Sequence, residues 1–431
     1  MPKPQTPPKF STTDDKELAA LLKLRERPNV ISFIQEQNEK YHHWDELRRF
    51  APAIDGLTSE QLWKLLKFDR MNRAKVIRFG DIEIRYNMTN TILESLHGLD
   101  RRGGGGLQAQ AEFFPSKEQY EKNLINSLME EAIATSQLEG AATTRRVAKE
   151  MLRRGTKPRD ESEQMILNAY KTISFVREVK GLPLTPQLLL QLHSKITEGT
   201  LDEKHVGKFR DNDEVVVSDA SGEVLHQPPS YAKIEGLMDD LCDFANKDEG
   251  EFLHPIIKAI ILHFMIAYIH PFENGNGRTA RALFYWYVIK KGYWLFEFMP
   301  ISRVIKKAHG QYSRAYLFAE TDDLDVTYFL YFNLKQVDIA FKDFFDYLTR
   351  QIDEIQKTKE AVKYEGLNFR QIAIIMDFAK HPAKLFSIKE IMNTYKVTYE
   401  TARSDLIALE GLGHCKKEQT GKEFYYRKKG A

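Results

Sequence analysis

From residue 115 to about residue 356, apolar positions recur at helical spacing in long stretches, such as SKEQYEKNLINSLMEEAIATSQLE and TPQLLLQLHSKITE, with few strand signals. This pattern predicts a helical domain. Upstream, from about Asp15 to Leu99, helical patterns such as DELRRF and SEQLWKLLKF surround one strand-like stretch, IEIRYNM, and end at the glycine run Arg101 to Gly106, which reads as a boundary. One interruption breaks the helical domain. In Gly207 to His226, Val215, Val216 and Val217 read as a strand, Ser-Asp-Ala-Ser-Gly as a turn and Val-Leu-His as its return, a short hairpin.

The charged stretch over residues 351–366 reads as a helical connector. Beyond it, NFRQIAIIMDFAK, the segment from Ser387 with its capping-box Glu390, and Thr398 to Leu409 predict three helices, and KKEQTGKEFYYR a hairpin turning at Gly421. That order looks like a winged helix-turn-helix. The expected organisation is a disordered leader over 1–14, a mostly helical unit over 15–106, the helical domain over 107–356 and the winged helix over 357–431. The fold class is mainly α with a small β-hairpin.

Composition narrows the picture. At 431 residues one continuous core is not expected. A net charge of +2 with 29% charged residues makes no global field for nucleic acid or membrane. No apolar run reaches the roughly 18 residues that span a bilayer, and the start has no secretory core, so a soluble, cytoplasmic chain without a membrane partner is expected. Cys242 and Cys415, far apart, read as ordinary thiols. His254 and His263 read as core residues of apolar helices, and the pair His42 and His43 has no metal-ligand spacing.

The candidate chemistry lies in His270-Pro-Phe-Glu-Asn-Gly-Asn-Gly-Arg-Thr-Ala-Arg281. The apolar helix ILHFMIAYIH delivers His270 to its end, and the next helix begins after a glycine-rich turn. Gly275 and Gly277 remove side chains where backbone must approach a ligand, and the amides of the turn and first helical turn suit phosphate oxygens. Arg278 and Arg281, three apart on one helix face, can converge on an anion. His270 is placed to act as general base for an attacking hydroxyl.

This run resembles the signature of the Fic family, His-Pro-Phe-x-Asp/Glu-Gly-Asn-Gly-Arg-x-x-Arg, at every position but one. The resemblance covers about residues 115–333. It implies transfer of AMP from ATP, with Mg²⁺, to a Ser, Thr or Tyr hydroxyl of a protein substrate. His270 then looks like the catalytic base, Gly275, Asn276 and Gly277 the anion hole, and Arg278 and Arg281 the binders of the phosphate chain. The departure is Asn274, where the family has a carboxylate to hold Mg²⁺; its neutral oxygen offers a metal less charge. Upstream, Thr135 and Glu139 match the family's inhibitory pattern Ser/Thr-x-x-x-Glu-Gly, which implies that Glu139 pairs with Arg281 and blocks the ATP γ-phosphate. The Val215 to Val217 strand resembles the family's target-docking flap.

In the C-terminal unit Tyr399, Thr401, Arg403 and Ser404 fall at the start of the expected recognition helix, and Lys416, Lys417, Lys422 and Arg427 could meet phosphates, so DNA stands beside protein as a partner. Family precedent makes a homodimer a reasonable expectation. The leading expectation is a protein adenylyltransferase restrained by Glu139. The alternatives are a nucleotide-sensing DNA-binding regulator and an enzyme that removes AMP from a modified protein.

Overall fold

The computed structural model describes the chain apart from residues 1–2, 10–14, 51–53, 104–113, 115, 220, 249, 363–365, 421–422 and 431. The glycines at 104–106, the tip at Gly421 and Lys422 lie outside the described residues.

Four helices open the chain, α1 (Asp15–Arg25), α2 (Pro28–Lys40), α3 (Trp44–Phe50) and α4 (Ser59–Arg73), followed by the hairpin β1 (Lys75–Phe79) and β2 (Ile82–Tyr86) and by α5 (Asn90–Gly103). The N-terminal helices build a small core of their own around Val30, Phe33, Leu62 and Trp63. The large core does not divide at residue 106, however. Phe79, Ile84, Ile92 and Leu99 belong to it, because the hairpin and α5 turn their apolar faces onto the helices that follow. Of the expected leader, residues 3–9 form neither helix nor strand, with Pro4 buried and the Gln5 amide donating to Asp45 Oδ1 at 3.2 Å.

The helical domain comprises α6 (Lys117–Leu138), α7 (Arg145–Arg154), α8 (Glu161–Val179), α9 (Pro186–Thr197), α10 (Ile234–Asn246), α11 (Pro255–Ile269), α12 (Asn276–Lys290), α13 (Ile301–Lys307), α14 (His309–Thr321) and α15 (Thr327–Val362). At its centre lie α11 and α12. Ile256 through Ile266 are buried without a break, as are Arg278 through Ile289, because a helix apolar around its whole circumference has to be surrounded. The others wrap this pair, so both ends of the His270 loop are set in the most densely packed part of the chain.

Between α9 and α10 lies the expected hairpin, shorter than its sequence suggests. β3 (Val217–Ser218) pairs antiparallel with β4 (Val224–His226) through Val217 opposite His226. Val215 and Val216 precede the strand and make no ladder hydrogen bond among the described residues, since the register slips at the Val217–Ser218 step and β4 ends at His226.

The C-terminal unit holds α16 (Phe369–Lys380), β5 (Phe386–Ser387), α17 (Ile388–Tyr395), α18 (Tyr399–Gly411), β6 (Cys415–Thr420) and β7 (Glu423–Lys428), with sheet order β5-β7-β6. Its separate core gathers Phe378, Ile391, Leu406 and Tyr426. At the exposed start of α18, Arg403 lies 3.6 Å from Glu400. The unit rests on α6 and α7: Arg370 donates to Glu118 Oε1 at 3.1 Å and Asn393 to the Arg153 carbonyl at 2.7 Å. Among the described residues no helix is long and apolar enough to cross a membrane.

The N-terminal helices are joined to the domain by buried charge. Lys67 Nζ sits 2.5 Å from Asp322 Oδ1, both nearly inaccessible, and Lys67 holds the Asp322 carboxyl below its ordinary range against the effect of burial. Breaking such a pair strands a charge in the interior. Lys67→Met should therefore lower stability by about 3–5 kcal/mol, read as a fall in Tm by calorimetry; an unchanged Tm would show that the pair does not tie the two parts together.

Candidate active site

The loop between α11 and α12 is built from both ends. His270 caps α11 in the left-handed region, φ 50°, an uncommon conformation for a side chain of this size, and Pro271 prevents the helix from continuing. Asn276 then pins the loop. Its Nδ2 donates to the Phe272 carbonyl at 2.8 Å while its Oδ1 accepts from the Phe272 amide at 3.0 Å. The side chain of Asn276 is thus engaged in the loop itself, and what it offers an anion is its backbone amide. As the first three helical residues, Asn276, Gly277 and Arg278 present amides without intrahelical partners.

Gly275 turns with φ 86°, and a Cβ there would come within 3.0 Å of Thr197 Cγ2 and 3.5 Å of the His193 ring. His193 stacks on Phe272 with ring centroids 3.9 Å apart, and its Nδ1 accepts from the Gly207 amide at 3.1 Å. That assigns the proton to Nε2, which donates to the Asn274 carbonyl at 2.8 Å. Burial holds His193 down to about 4, so the ring remains neutral.

The two arginines enter from the first turns of α12. Arg278 is buried, donates from Nη1 to the Ile196 carbonyl at 3.2 Å, and keeps its Nε without a partner among the described residues. Arg281 is held by the end of α6: Nε donates to Thr135 Oγ1 at 2.7 Å, Nη2 to the Thr135 carbonyl at 3.2 Å and to Glu139 Oε1 at 2.7 Å. Its side chain is 4% exposed against 27% for Glu139. Burial opposes the arginine's charge, yet Glu139 reverses this and lifts Arg281 further; the same carboxyl is held below its ordinary range by Arg281, ahead of Arg278 and His270.

The end of α6 delivers Glu139 to this spot. Gly140, φ 96°, closes a Schellman turn in which Ala141 donates to the Ser136 carbonyl at 3.0 Å and Gly140 to that of Gln137 at 3.3 Å. Two turns before Glu139, buried Glu131 accepts from the Ser302 amide at 2.9 Å and from Tyr285 Oη at 2.8 Å, fastening α6 to α13 and α12. The carboxylate then hangs over the start of α12. A Cβ added to Gly277 would collide with Glu139 Oε1 and lie 3.0 Å from its Cδ.

His270 Nδ1 lies 3.1 Å from the Ala267 carbonyl, an acceptor only, so Nδ1 carries the proton and Nε2 remains free to accept one. Burial depresses His270 to about 4, with His226 and Arg210 pushing the same way against the Ala267 bond and Glu139. Arg210 joins hairpin and loop: its amide donates to the Pro271 carbonyl at 2.9 Å, Nε to the His270 carbonyl at 3.0 Å and Nη1 to the Asn212 carbonyl at 2.7 Å. Val215, Val216 and Val217 begin five residues after Arg210, with Val216 38% exposed.

Among the described residues no group of three or more His, Cys, Asp or Glu could hold a metal. At the loop the donor set is the neutral Oδ1 of Asn274, which already accepts from the Gly275 amide at 2.6 Å, while Glu273 faces solvent. These residues do not fit Mg²⁺ as a protein-held ion. Arg210, His193 and Glu131 went unremarked in the sequence, since each acts through backbone or helix contacts that local spacing does not announce. His254 and His263, expected in the core, respectively cap α11 through Nδ1, 3.2 Å from the Ile256 amide, and bond Tyr312 Oη at 2.8 Å.

The Fic/DOC family model matches residues 183–288, which include His270, the loop and both arginines. The chain is 33% identical over 115 residues to the protein adenylyltransferase Fic of Drosophila willistoni, covering 27% of this chain and 22% of that one. It is 31% identical over 125 residues to the protein adenylyltransferase Fic of Nematostella vectensis, covering 29% and 27%. The matches thus span about a quarter of these relatives' own length. The crystal structure of a Fic family protein from Desulfovibrio desulfuricans is 18% identical, with a TM-score of 0.49, and covers 80% of this chain and 98% of that one. The segment that matches the Fic/DOC family is thus residues 183–288, the part of the domain that holds this loop.

Proposed function

We propose that the protein transfers AMP from ATP to a hydroxyl of a protein substrate, and that Glu139 restrains the transfer. The observation that carries this reading is the seat of the Glu139 carboxylate, 2.7 Å from Arg281 and over Gly277, on the amides and guanidinium that a phosphate chain requires. The relatives in Drosophila willistoni and Nematostella vectensis, both protein adenylyltransferases, support the same chemistry.

In the transfer, His270 Nε2 takes the proton of the target hydroxyl as its oxygen bonds to the α-phosphorus. The bond between the α-phosphorus and its bridging oxygen breaks, and pyrophosphate leaves. The ring is neutral at physiological pH and oriented by Ala267, so it needs neither deprotonation nor rotation beforehand. The α12 amides, Arg278 and Arg281 neutralise the phosphate oxygens. Val215 and Val216, without ladder bonds among the described residues, offer a main-chain edge on which a target segment can align beside His270. While Glu139 remains on Arg281, a terminal phosphate meets a carboxylate instead of a free guanidinium.

Were Mg²⁺ to enter with the nucleotide, it would supply positive charge near the leaving pyrophosphate, and Asn274 would offer it only a neutral oxygen that already accepts from Gly275.

Glu139→Gly should raise automodification from ATP by about tenfold or more, since removing a competitor worth ~1.4 kcal/mol shifts occupancy by that factor, and adding His270→Ala should abolish it; mass measurement of the added group decides. An inert Glu139→Gly form would remove the restraint. The pH profile gives an independent check: because His270 titrates near 4, transfer by the Glu139→Gly form should stay level from about pH 6 to pH 8 and fall only as the base is protonated below about 5. An acid limb centred near 6.5 would contradict a buried, neutral base. Finally, Asn274→Asp should lower the Mg²⁺ concentration for half-maximal transfer by several-fold, roughly the effect of adding one carboxylate ligand; an unaltered Mg²⁺ dependence would show that position 274 does not face the ion.

A further inference from the structure

A second cavity, about 440 Å³, lies where the C-terminal unit meets α6, α7, α13 and α15, within the size range of small-molecule sites. Nine Lys and Arg line it against five Asp and Glu, and the acids are largely committed. Glu130 lies 2.5 Å from Lys149 and also pairs with Arg145; Asp377 is 2.8 Å from Lys384. Among the described residues, Lys122, Arg153 and Arg350 have no carboxylate within ion-pair distance.

Two of these cations are placed with care. Lys122, on α6, directs its ammonium 5.6 Å from the Phe369 ring centre and 5.7 Å from that of Tyr395, so the C-terminal unit supplies its surroundings. Arg153, on α7, bonds Asn126 Oδ1 at 3.2 Å through Nη2, while its buried Nε has no partner among the described residues. Burial pushes Lys122 down to about 8, with Arg153 adding to the effect and Asp377 opposing it. An ammonium and a guanidinium fork lining one cavity, short of counter-charge, match a doubly charged phosphate. Phe298, Phe344, Tyr347 and Met376 provide an apolar wall beside them.

We propose that this cavity binds an organic phosphate, with Lys122 and Arg153 on the phosphate, the apolar wall on its organic part and Arg350 at the mouth. It is a separate site from the Fic loop. Lys122 and Glu139 stand at opposite ends of α6, about 25 Å apart along the helix, and the proposal does not depend on the reaction assigned to that loop. A bound phosphate would touch α6, α7 and the C-terminal unit together, so occupancy raises the melting temperature by mass action.

The test titrates AMP and, separately, inorganic phosphate into the full chain by calorimetry. The chain keeps Glu139 on Arg281, where it occupies the proposed anion cradle of the Fic loop, and carries Arg278→Gln to weaken that cradle further. Saturable AMP binding is expected, tighter than that of inorganic phosphate. It should weaken about tenfold or more with Lys122→Gln, the loss of one charge-assisted hydrogen bond, and several-fold with Arg350→Gln. Arg350 is exposed and its substitution leaves the core untouched, so that variant decides alone if Lys122→Gln does not fold. Absence of AMP binding, or affinities unchanged in Arg350→Gln and in a folded Lys122→Gln, would overturn the site; equal affinity for AMP and inorganic phosphate would overturn the organic part of its specificity.

Discussion

A guanidinium buried two turns into a core helix cannot be left without acceptors, and the placement of Arg281 organises much of this domain. Its charge is met by the hydroxyl, the carbonyl and the carboxylate of one helix end, Thr135 and Glu139 of α6. For those three acceptors to converge, α6 must end where it does and approach α12 at a fixed height. Glu131 sets the height by bonding Tyr285 and Ser302, and Gly140 sets the end by turning the chain through a positive φ. On the proposed reading, stability and restraint share one contact, because the pairing that satisfies the buried arginine also occupies the proposed anion site.

The loop that bears the chemistry is held with comparable strictness. Its few residues are tied internally by Asn276, from below by His193 and from the side by Arg210, each through main-chain groups. Fixing backbone positions keeps the amides of α12 and the ring of His270 in register without demanding particular loop side chains. Arg210 extends that order into the segment before the hairpin, tying it to the His270 carbonyl.

Helix α6 has a second life at its other end. Lys122 and Glu118 face the C-terminal unit, whose aromatic and charged side chains complete their surroundings. A single 22-residue helix therefore joins the docked C-terminal unit to the carboxylate over the anion site. A rigid helix transmits displacement along its length, and the anchor at Glu131 lies between the two ends.

Much of this was legible in the chain itself. Period-3.6 apolar patterning gave away the helices, the apolar run Ile261 to Ile269 predicted a buried helix ending at His270, and the run from His270 to Arg281 announced base, turn and arginines, because those features depend on residues close in sequence. The start of β3 at Val217, two residues later than Val-Val-Val suggests, depended on a return strand whose register no local pattern specifies. Tertiary structure alone decided which groups meet across the fold: Arg210 with the His270 carbonyl, His193 with Asn274, Glu131 with Ser302, and Lys122 with the rings of a unit some 250 residues away in the chain. Composition and periodicity determine which face of each element seeks the interior; which distant polar group satisfies a buried charge is settled only when the packed elements leave that charge a single set of acceptors.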